Sequence, residues 1–428
     1  MRFSTLSDWL SWQQTLHPNS IDLGLDRLNR TLARLSWRRP ACPVITVAGT
    51  NGKGSSVALL NRIFSEAGYR VGTFTSPHLL RYNERIVIAD REVSDASLMA
   101  AFERIDAARV NDTLTFFEFN TLAALLIFET AGLDVIILEA GMGGRLDAVN
   151  IVDADVALIT SIALDHREWL GYDVETIGRE KAGVMRSERP AVFGSTAMPH
   201  SVRASADSIG AQLLRLGHEF SYQRNDGRWS WQGLRTVLED LPAPALIGDV
   251  QFDNAAAVLA VIEAIASRLA VSRQSIVNGL AAVTIAGRFQ RIQRGNEWIL
   301  DVAHNPAAAR VLAAQLAASP ARGRTIAVSG ILGDKDIEGI FDELRTSFDG
   351  WIVTGLRSDR SISATMLAER LRQCGANVLG AADDVPGACV QAANSAKAAD
   401  RIVVFGSFLT VAAALEWLES PRTAAVEL

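Results

Sequence analysis

One run constrains this chain more than any other: Val44-Ile45-Thr46-Val47-Ala48-Gly49-Thr50-Asn51-Gly52-Lys53-Gly54-Ser55. An apolar, β-branched stretch breaks into a glycine-rich turn that bears a lysine. Residues 56–67 follow with helical spacing, carrying Val57, Leu60, Ile63 and Phe64 on one face. Strand, glycine loop and helix in that order form an anion cradle. The N–H groups of Gly49, Thr50, Asn51, Gly52, Lys53, Gly54 and Ser55 and the helix N-terminus face a polyphosphate, and Lys53 reaches its outer phosphates. The expected ligand is ATP. The competing account is a tight turn whose glycines only supply positive φ. Three glycines and a lysine beside a buried-type strand weigh against it. The common form of the loop has Ser or Thr after the lysine to hold Mg²⁺. Gly54 stands there, so the metal's hydroxyl must come from elsewhere.

At 428 residues the chain exceeds what one hydrophobic core usually organises, and two domains are expected. Its 49% hydrophobic content supplies ample core, and the formal net charge of −6 comes without a long basic block. Arg34, Arg38 and Arg39 form only a brief cluster, more in keeping with a solvated helix end than with a nucleic-acid surface. Cys42, Cys374 and Cys389 lie far apart without metal-ligand spacing, as expected of reduced thiols in a cytosolic protein. Residues 1–10 lack a basic-then-apolar signal, and Asp8 interrupts them. The most apolar helical stretch, 255–270, carries Glu263 and Arg268, which argues against a membrane span. A cytoplasmic protein, a monomer acting on small molecules with no nucleic acid and no membrane, is the expectation.

Short β-rich runs alternate with helical patterns nearly throughout. Strands are predicted over 44–48, 71–75, 135–139, 156–160 and 191–194, with helices such as 97–108 and 119–130 between them. That alternation implies an α/β fold with a mainly parallel sheet covered on both faces. Residues 215–244 are more irregular; there Trp229 and Trp231 alternate beside Asn225-Asp226-Gly227, a hairpin signal. A helix pair over 253–269 and 272–281 comes next. After Gly287-Arg288-Phe289-Gln290 the alternation restarts, with strands predicted over 298–302, 325–329, 351–354 and 401–405 and a helix over 306–318. The division expected is therefore a P-loop NTPase-like domain over 1–286 and a smaller, Rossmann-like doubly wound domain over 287–428.

Further motifs follow in order. They are Thr75-Ser76-Pro77-His78-Leu79, Asn83-Glu84-Arg85-Ile86, Thr115-Phe116-Phe117-Glu118 and Glu139-Ala140-Gly141-Met142-Gly143-Gly144-Arg145-Leu146-Asp147-Ala148. Leu164-Asp165-His166 with Leu170-Gly171, Glu180-Lys181-Ala182-Gly183 and Asp301-Val302-Ala303-His304-Asn305-Pro306 complete the set. Taken together they closely resemble the folylpolyglutamate synthase/dihydrofolate synthase family, relatives of the Mur peptide ligases. The resemblance runs from about Ile21 to the Phe405-Gly406-Ser407-Phe408-Leu409-Thr410-Val411 stretch.

The activity this resemblance implies is an ATP-dependent amide ligase. It adds L-glutamate to 7,8-dihydropteroate and further glutamates to reduced folates. A carboxylate is a poor electrophile, so the γ-phosphoryl group is first transferred to it; an amine then attacks the acyl phosphate. Catalysis of such a transfer is mostly positioning and charge neutralisation. On residues alone, Glu139 at a strand end is a ligand-binding acid, a helix cap or a solvated loop acid. His166 reads equally as a loop histidine, and Ser76 as a turn serine before Pro77. The resemblance implies all three as Mg²⁺ ligands, which supplies the hydroxyl that Gly54 displaced. The imidazole is the least expected of them, since Mg²⁺ prefers oxygen.

Lys181 alone reads as a surface helix lysine paired with Glu180. The resemblance implies instead that it is carbamylated, an N6-carboxylysine supporting a second Mg²⁺; that requires a lysine whose pKa is lowered. The resemblance further implies adenosine contacts from Asn254, Arg288 and Asp301, although Asn254 reads equally as a helix cap. His304 is implied to hold the incoming glutamate, with Arg85 and Ser407 as further candidates. The pterin side is implied at Asp22-Leu23-Gly24-Leu25, Thr115–Glu118 and Leu146-Asp147-Ala148. Without the resemblance the first of these is a helix-entry turn, and Phe116 and Phe117 are either ring contacts or plain core.

Two positions depart from the family pattern. Val149 stands where Thr is usual, and Val302 where Gly is usual. Neither removes a phosphate or metal contact. Only about forty residues precede the P-loop strand, too few for the extra N-terminal domain of a Mur ligase proper. A folylpolyglutamate synthase lacking the dihydropteroate step is the nearer competitor, and the segment 22–25 weighs against it. A P-loop switch ATPase is the competitor from another class; the linked Glu139, His166, Lys181 and Asp301 motifs weigh against that.

Overall fold

The computed structural model describes residues 2–420, which divide into two compact units: 2–245 with 249–284, and 246–248 with 285–420. In the first unit, eight strands form one sheet. They are β1 (Val44–Ala48), β2 (Val71–Phe74), β3 (Ile86–Ile88), β4 (Arg91–Glu92), β5 (Val135–Glu139), β6 (Val156–Ile159), β7 (Pro190–Phe193) and β8 (Gln212–Arg215). Their order is β4-β3-β2-β5-β1-β6-β7-β8. All are parallel except β3 and β4, which close one edge as antiparallel strands. Every residue of β1 and β5 is buried, as expected for central strands covered on both faces.

Register fixes where the chemistry collects. Val47 stands beside Glu139 on one side and Leu158 on the other, and Phe74 stands beside Leu138. The C-terminal ends of β2, β5, β1 and β6 therefore lie side by side, so Ser76, Glu139, the glycine loop and the segment after Ile159 leave the sheet along one edge. Open parallel sheets bind ligands at that edge.

The glycine-loop helix runs Lys53–Glu66, three residues earlier than the apolar spacing indicated, so Lys53 is its first residue. Residues 53–56 carry no apolar side chain, so apolar spacing does not announce that start. Likewise the helix at Thr115 starts at Phe116 rather than Phe119, since Thr115 and Glu118 form a reciprocal capping box. One helix, Val174–Ala182, contains Ile177 and Lys181 together. The irregular stretch folds into a separate antiparallel sheet of β9 (Ser221–Asn225), β10 (Arg228–Gln232) and β11 (Val237–Pro242). The hairpin signal is realised there, with Asp226 and Gly227 both at positive φ between β9 and β10.

The second unit holds β12 (Gln290–Arg294), β13 (Asn296–Leu300), β14 (Thr325–Ser329), β15 (Gly350–Thr354), β16 (Val378–Ala382) and β17 (Arg401–Phe405), in the order β12-β13-β17-β14-β15-β16. Only the edge strand β12 is antiparallel. Helices Pro306–Ala318, Ile337–Leu344 and Ala364–Gln373 share one buried core with Ile299, Ala327, Val353, Val403 and Phe405. Helices Val385–Ser395 and Phe408–Glu419 pack together against the sheet as well. The unit is doubly wound, as the alternation required. Among the described residues no helix is long and apolar enough to cross a membrane.

Candidate functional site

The glycine loop is shaped by the residues that follow β6. Thr160 donates its hydroxyl to Asn51 O at 2.7 Å, Ser161 donates to the same carbonyl at 3.1 Å, and Thr50 N–H reaches Ser161 O at 2.7 Å. Gly49 has φ +147, and a Cβ there would sit 1.9 Å from Thr160 Oγ1, so only glycine fits. The first intrahelical bond is Ser56 N–H to Gly52 O, which leaves the N–H groups of Lys53, Gly54 and Ser55 in the turn that has no intrahelical acceptor. Such a turn attracts phosphate.

Two lysines converge on this loop. Lys53 Nζ donates to Gly49 O at 3.1 Å and Thr50 O at 3.2 Å, while Lys181 Nζ donates to the same Gly49 O at 2.8 Å. Lys181 is buried rather than exposed, and burial together with the charge of Lys53 pushes its amine down to about 7. Asp165 and Asp147 act in the opposite direction. Asp147 is itself buried and accepts N–H bonds from Met142 at 2.8 Å and Val149 at 3.1 Å; burial nevertheless raises its carboxyl to about 6. The departure Val149 is completely buried, and its backbone N–H supplies that second bond, so the missing hydroxyl leaves the turn intact.

On β5, Glu139 is buried and accepts the N–H of Ser76 at 3.2 Å, so the structure brings these two together across adjacent strand ends. His166 opens the short helix Arg167–Leu170 with φ +52 and keeps its Nε2 4.0 Å from Asp165 Oδ2. Among the described residues no group of three or more His, Cys, Asp or Glu side chains could hold a metal alone. Glu139 and Ser76 are hard oxygen donors beside a phosphate cradle, which suits Mg²⁺, an ion that takes one or two carboxylates and completes its shell from phosphate and water.

Arg85 is buried, with its Nε donating to His78 Nδ1 at 2.8 Å and its guanidinium 5.5 Å from the Phe116 ring and 5.7 Å from the Tyr82 ring. Burial and Arg85 push His78 down to about 4, so its ring is neutral and carries its proton on Nε2. Burial lowers the pKa of Arg85 too, while Tyr82, Glu139 and Glu84 act the other way. Arg85 thus lies against Phe116 and Tyr82 and within the field of Glu139.

The N-terminal segment joins that helix through a residue the sequence did not single out. Arg27 Nε donates to Glu118 Oε2 at 2.7 Å, and its Nη1 to Asp22 Oδ2 at 2.6 Å. Asp22 and the Thr115–Glu118 turn are thereby brought together, and Gly24 has open space around it. Phe117 packs on Phe74 at 5.7 Å between ring centroids. Leu23, Leu25 and Leu146 are only partly buried, and Ala148 is buried in the turn that Asp147 caps. Asn254 lies inside the helix Val250–Ile265 rather than at its cap; its amide donates to Gln251 and faces the loop, where a Cβ on Gly52 would lie 2.6 Å from its Oδ1.

In the second unit, Asp301 accepts N–H bonds from Phe289 at 2.9 Å and Ala303 at 2.8 Å. Burial raises its carboxyl and the charge of Arg288 opposes the rise. Arg288 lies 5.6 Å from the Phe408 ring, and His304 lies 6.1 Å from the same ring with its Nδ1 on Val302 O at 2.8 Å. Val302 is buried, so the departure adds bulk to the core. Ser407 is committed to its own helix, accepting Thr410 N–H at 3.0 Å and meeting Thr410 Oγ1 at 2.7 Å. Asp165, His78, Thr160 and Arg27 were missed by sequence reasoning. The first two sit inside quoted motifs, Thr160 ends a predicted strand, and Arg27 carries no local signal.

Two family models match the chain: the Mur ligase middle domain over residues 47–262 and the Mur ligase glutamate ligase domain over residues 287–408. The Escherichia coli dihydrofolate synthase/folylpolyglutamate synthase is 45% identical over 98% of this chain and 97% of its own length. The structure of Escherichia coli FolC in complex with DHPP and ADP superposes with a TM-score of 0.91 at 46% identity, covering 96% of this chain and 97% of that one. A bifunctional folylpolyglutamate synthase/dihydrofolate synthase with Mn, AMPPNP and L-glutamate bound gives 0.89 at 45% identity, covering 97% and 98%. Matched along nearly its whole length in both sequence and structure, the chain belongs to the Mur ligase family, within its dihydrofolate synthase/folylpolyglutamate synthase branch.

Proposed function

We propose that this chain is an ATP-dependent amide ligase that joins L-glutamate to 7,8-dihydropteroate, and further glutamates to reduced folates, through an acyl phosphate. The observation that carries the reading is the second lysine at the loop: Lys181 Nζ, buried, on the carbonyl that Lys53 also holds. An ATPase that attacks with water has no need of it. In the first step an acceptor carboxylate oxygen attacks the γ-phosphorus and ADP leaves. In the second the glutamate amine attacks the acyl carbon, phosphate departs with the bonding pair, and the amine gives up a proton.

Gly49 to Ser55 and Lys53 hold the phosphates, with Asn254, Arg288 and Asp301 on the adenosine side. Ser76, Glu139 and His166 take a divalent ion, which when bound neutralises charge on the β- and γ-phosphates. An amine at about 7 is substantially unprotonated at neutral pH, so Lys181 Nζ can attack the carbon of CO₂, forming an N–C bond and releasing a proton to water. The resulting carbamate turns a cation into an anion able to support a second ion. Asp22–Leu25, Thr115–Glu118 and Leu146-Asp147-Ala148 receive the pterin acceptor; His304, Arg85 and Ser407 serve the incoming glutamate. A cytoplasmic, monomeric enzyme belongs to the same reading.

Phosphate release from ATP, measured with and without dihydropteroate plus L-glutamate, tests it. Release that requires both substrates is expected; release that ignores both replaces the ligase with a P-loop ATPase. Running dihydropteroate and tetrahydrofolate as separate acceptors tests the dual activity, and turnover of tetrahydrofolate alone leaves a folylpolyglutamate synthase.

A further inference from the structure

Glu118 is buried, and its two carboxylate oxygens have opposite situations. Oε2 receives Arg27 Nε at 2.7 Å, the Thr115 N–H at 2.8 Å and the Thr115 hydroxyl at 3.0 Å. Oε1 is buried and has no hydrogen-bond partner. An acceptor left in that state costs stability unless something else donates to it, and a carboxylate more than a neutral group. Three donors on one oxygen, meanwhile, hold the carboxylate rigidly in one orientation. The unpaired oxygen belongs to the turn that carries Phe116 and Phe117, two partly buried aromatic side chains of the kind that can flank a flat ring.

Arg27 sets this arrangement from 91 residues away. It bonds Glu118 with Nε, Asp22 Oδ2 with Nη1, and the Asp22 carbonyl with Nη2. His17 Nε2 meets Asp22 Oδ2 from the other side at 3.3 Å. Burial works against the guanidinium's charge, but Glu118 and Asp22 outweigh it and raise its pKa, so the cation is permanent. One arginine between two carboxylates leaves an acidic surplus, which favours a ligand rich in N–H donors over an anion.

We propose that Arg27 is a positioning residue of the acceptor subsite: by pairing with Asp22 and Glu118 together, it holds the buried, unpaired Glu118 oxygen for an N–H group of the acceptor's heterocycle. The inference rests on the reading of this region as the pterin side. Arg27 touches no reacting atom, so its loss acts on acceptor binding and leaves the phosphoryl step in place.

The test is steady-state kinetics of the full chain with Arg27→Met, Arg27→Lys, Glu118→Gln and the Arg27→Met/Glu118→Gln pair, alongside melting temperatures. Arg27→Met is expected to raise KM for dihydropteroate about ten- to a hundredfold, the range of a hydrogen bond to a charged group. KM for ATP and kcat should stay within about twofold, because the interaction is remote from the transition state. Arg27→Lys should fall between, keeping the charge but not the two-sided geometry. In the Glu118→Gln background the Arg27 change should add less than about threefold, since it acts through that carboxylate. Equal rises in KM for ATP and dihydropteroate, or full additivity in the double variant, make Arg27 a structural clamp and overturn the proposal. If Arg27→Met does not fold, an unchanged dihydropteroate KM in Arg27→Lys and Glu118→Gln overturns it. A wild-type chain that does not use dihydropteroate brings down the parent reading as well, whereas the other negative results leave that reading standing.

Discussion

The phosphate loop and the Asp22–Glu118 region are both placed on the same unit, yet they are held by different means. The loop is fixed through its own backbone by uncharged groups: the Thr160 and Ser161 hydroxyls donate to Asn51 O, Thr50 N–H is bonded to Ser161 O, and glycine is enforced where Thr160 leaves no room. The proposed acceptor side is fixed by charged side chains, with Arg27 bridging two acids that are far apart in sequence. Backbone cradles tolerate little change but need few specific residues. Charge clamps can be retuned one residue at a time, which suits the part of an enzyme that distinguishes among acceptors.

The most drastic way to break this contrast is Gly49→Ala. The added methyl collides with Thr160, and turnover of ATP should fall by at least about a thousandfold, as for removal of transition-state stabilisation. A variant that keeps a tenth of its activity would show that the loop is not backbone-determined. Next comes Lys181→Ala, expected to lose on the order of a hundred- to a thousandfold in kcat. Part of that loss should return on adding formate or acetate, because a free carboxylate can stand in for the carbamate. Full activity without rescue sinks the carbamylation proposal.

A smaller effect concerns pH and stability. Asp147 has a carboxyl raised from 3.8 to about 6, so between those values the native chain keeps a proton that the unfolded chain has released. The stability it contributes is complete below the lower value and is lost as pH rises through the upper one. Asp147→Asn should remove that slope, shifting the difference in unfolding free energy between pH 4 and pH 6.5 by about 1–3 kcal/mol. Chemical denaturation at both pH values measures it, and an unchanged slope contradicts the burial argument. The smallest expected effect is Thr115→Ala, about 1 kcal/mol from the lost cap, seen as a lower melting temperature. A loss several times larger would mean that the Thr115 hydroxyl on Glu118 matters beyond capping.

The phosphate loop and the parallel sheet were legible from residues because their signals are local. A β-branched run followed by three glycines and a lysine identifies the phosphate loop without any knowledge of the rest, and alternation of strand and helix identifies a parallel sheet. The family resemblance carried by the ordered motifs then implied roles for Ser76, Glu139, His166 and Lys181. Helix starts were less legible: Lys53 and Phe116 both begin helices earlier than apolar spacing indicated. Caps and glycine turns set those boundaries, and apolar periodicity carries no record of them. The small antiparallel sheet of β9 to β11 was visible only as a hairpin signal, since its exposed residues blur the pattern.

By itself the sequence determined the fold class, the phosphate loop and the kinds of side chain available to the chemistry, because each depends on neighbours within a dozen residues. Only the tertiary structure decided that two lysines share the Gly49 carbonyl and that Arg27 joins Asp22 to Glu118. It also decided that burial brings Lys181 to about 7. Those facts depend on strand register, on which surfaces exclude water and on charges brought together from distant segments. A lysine and an arginine on two ordinary-looking helices meet these partners only when distant segments fold together.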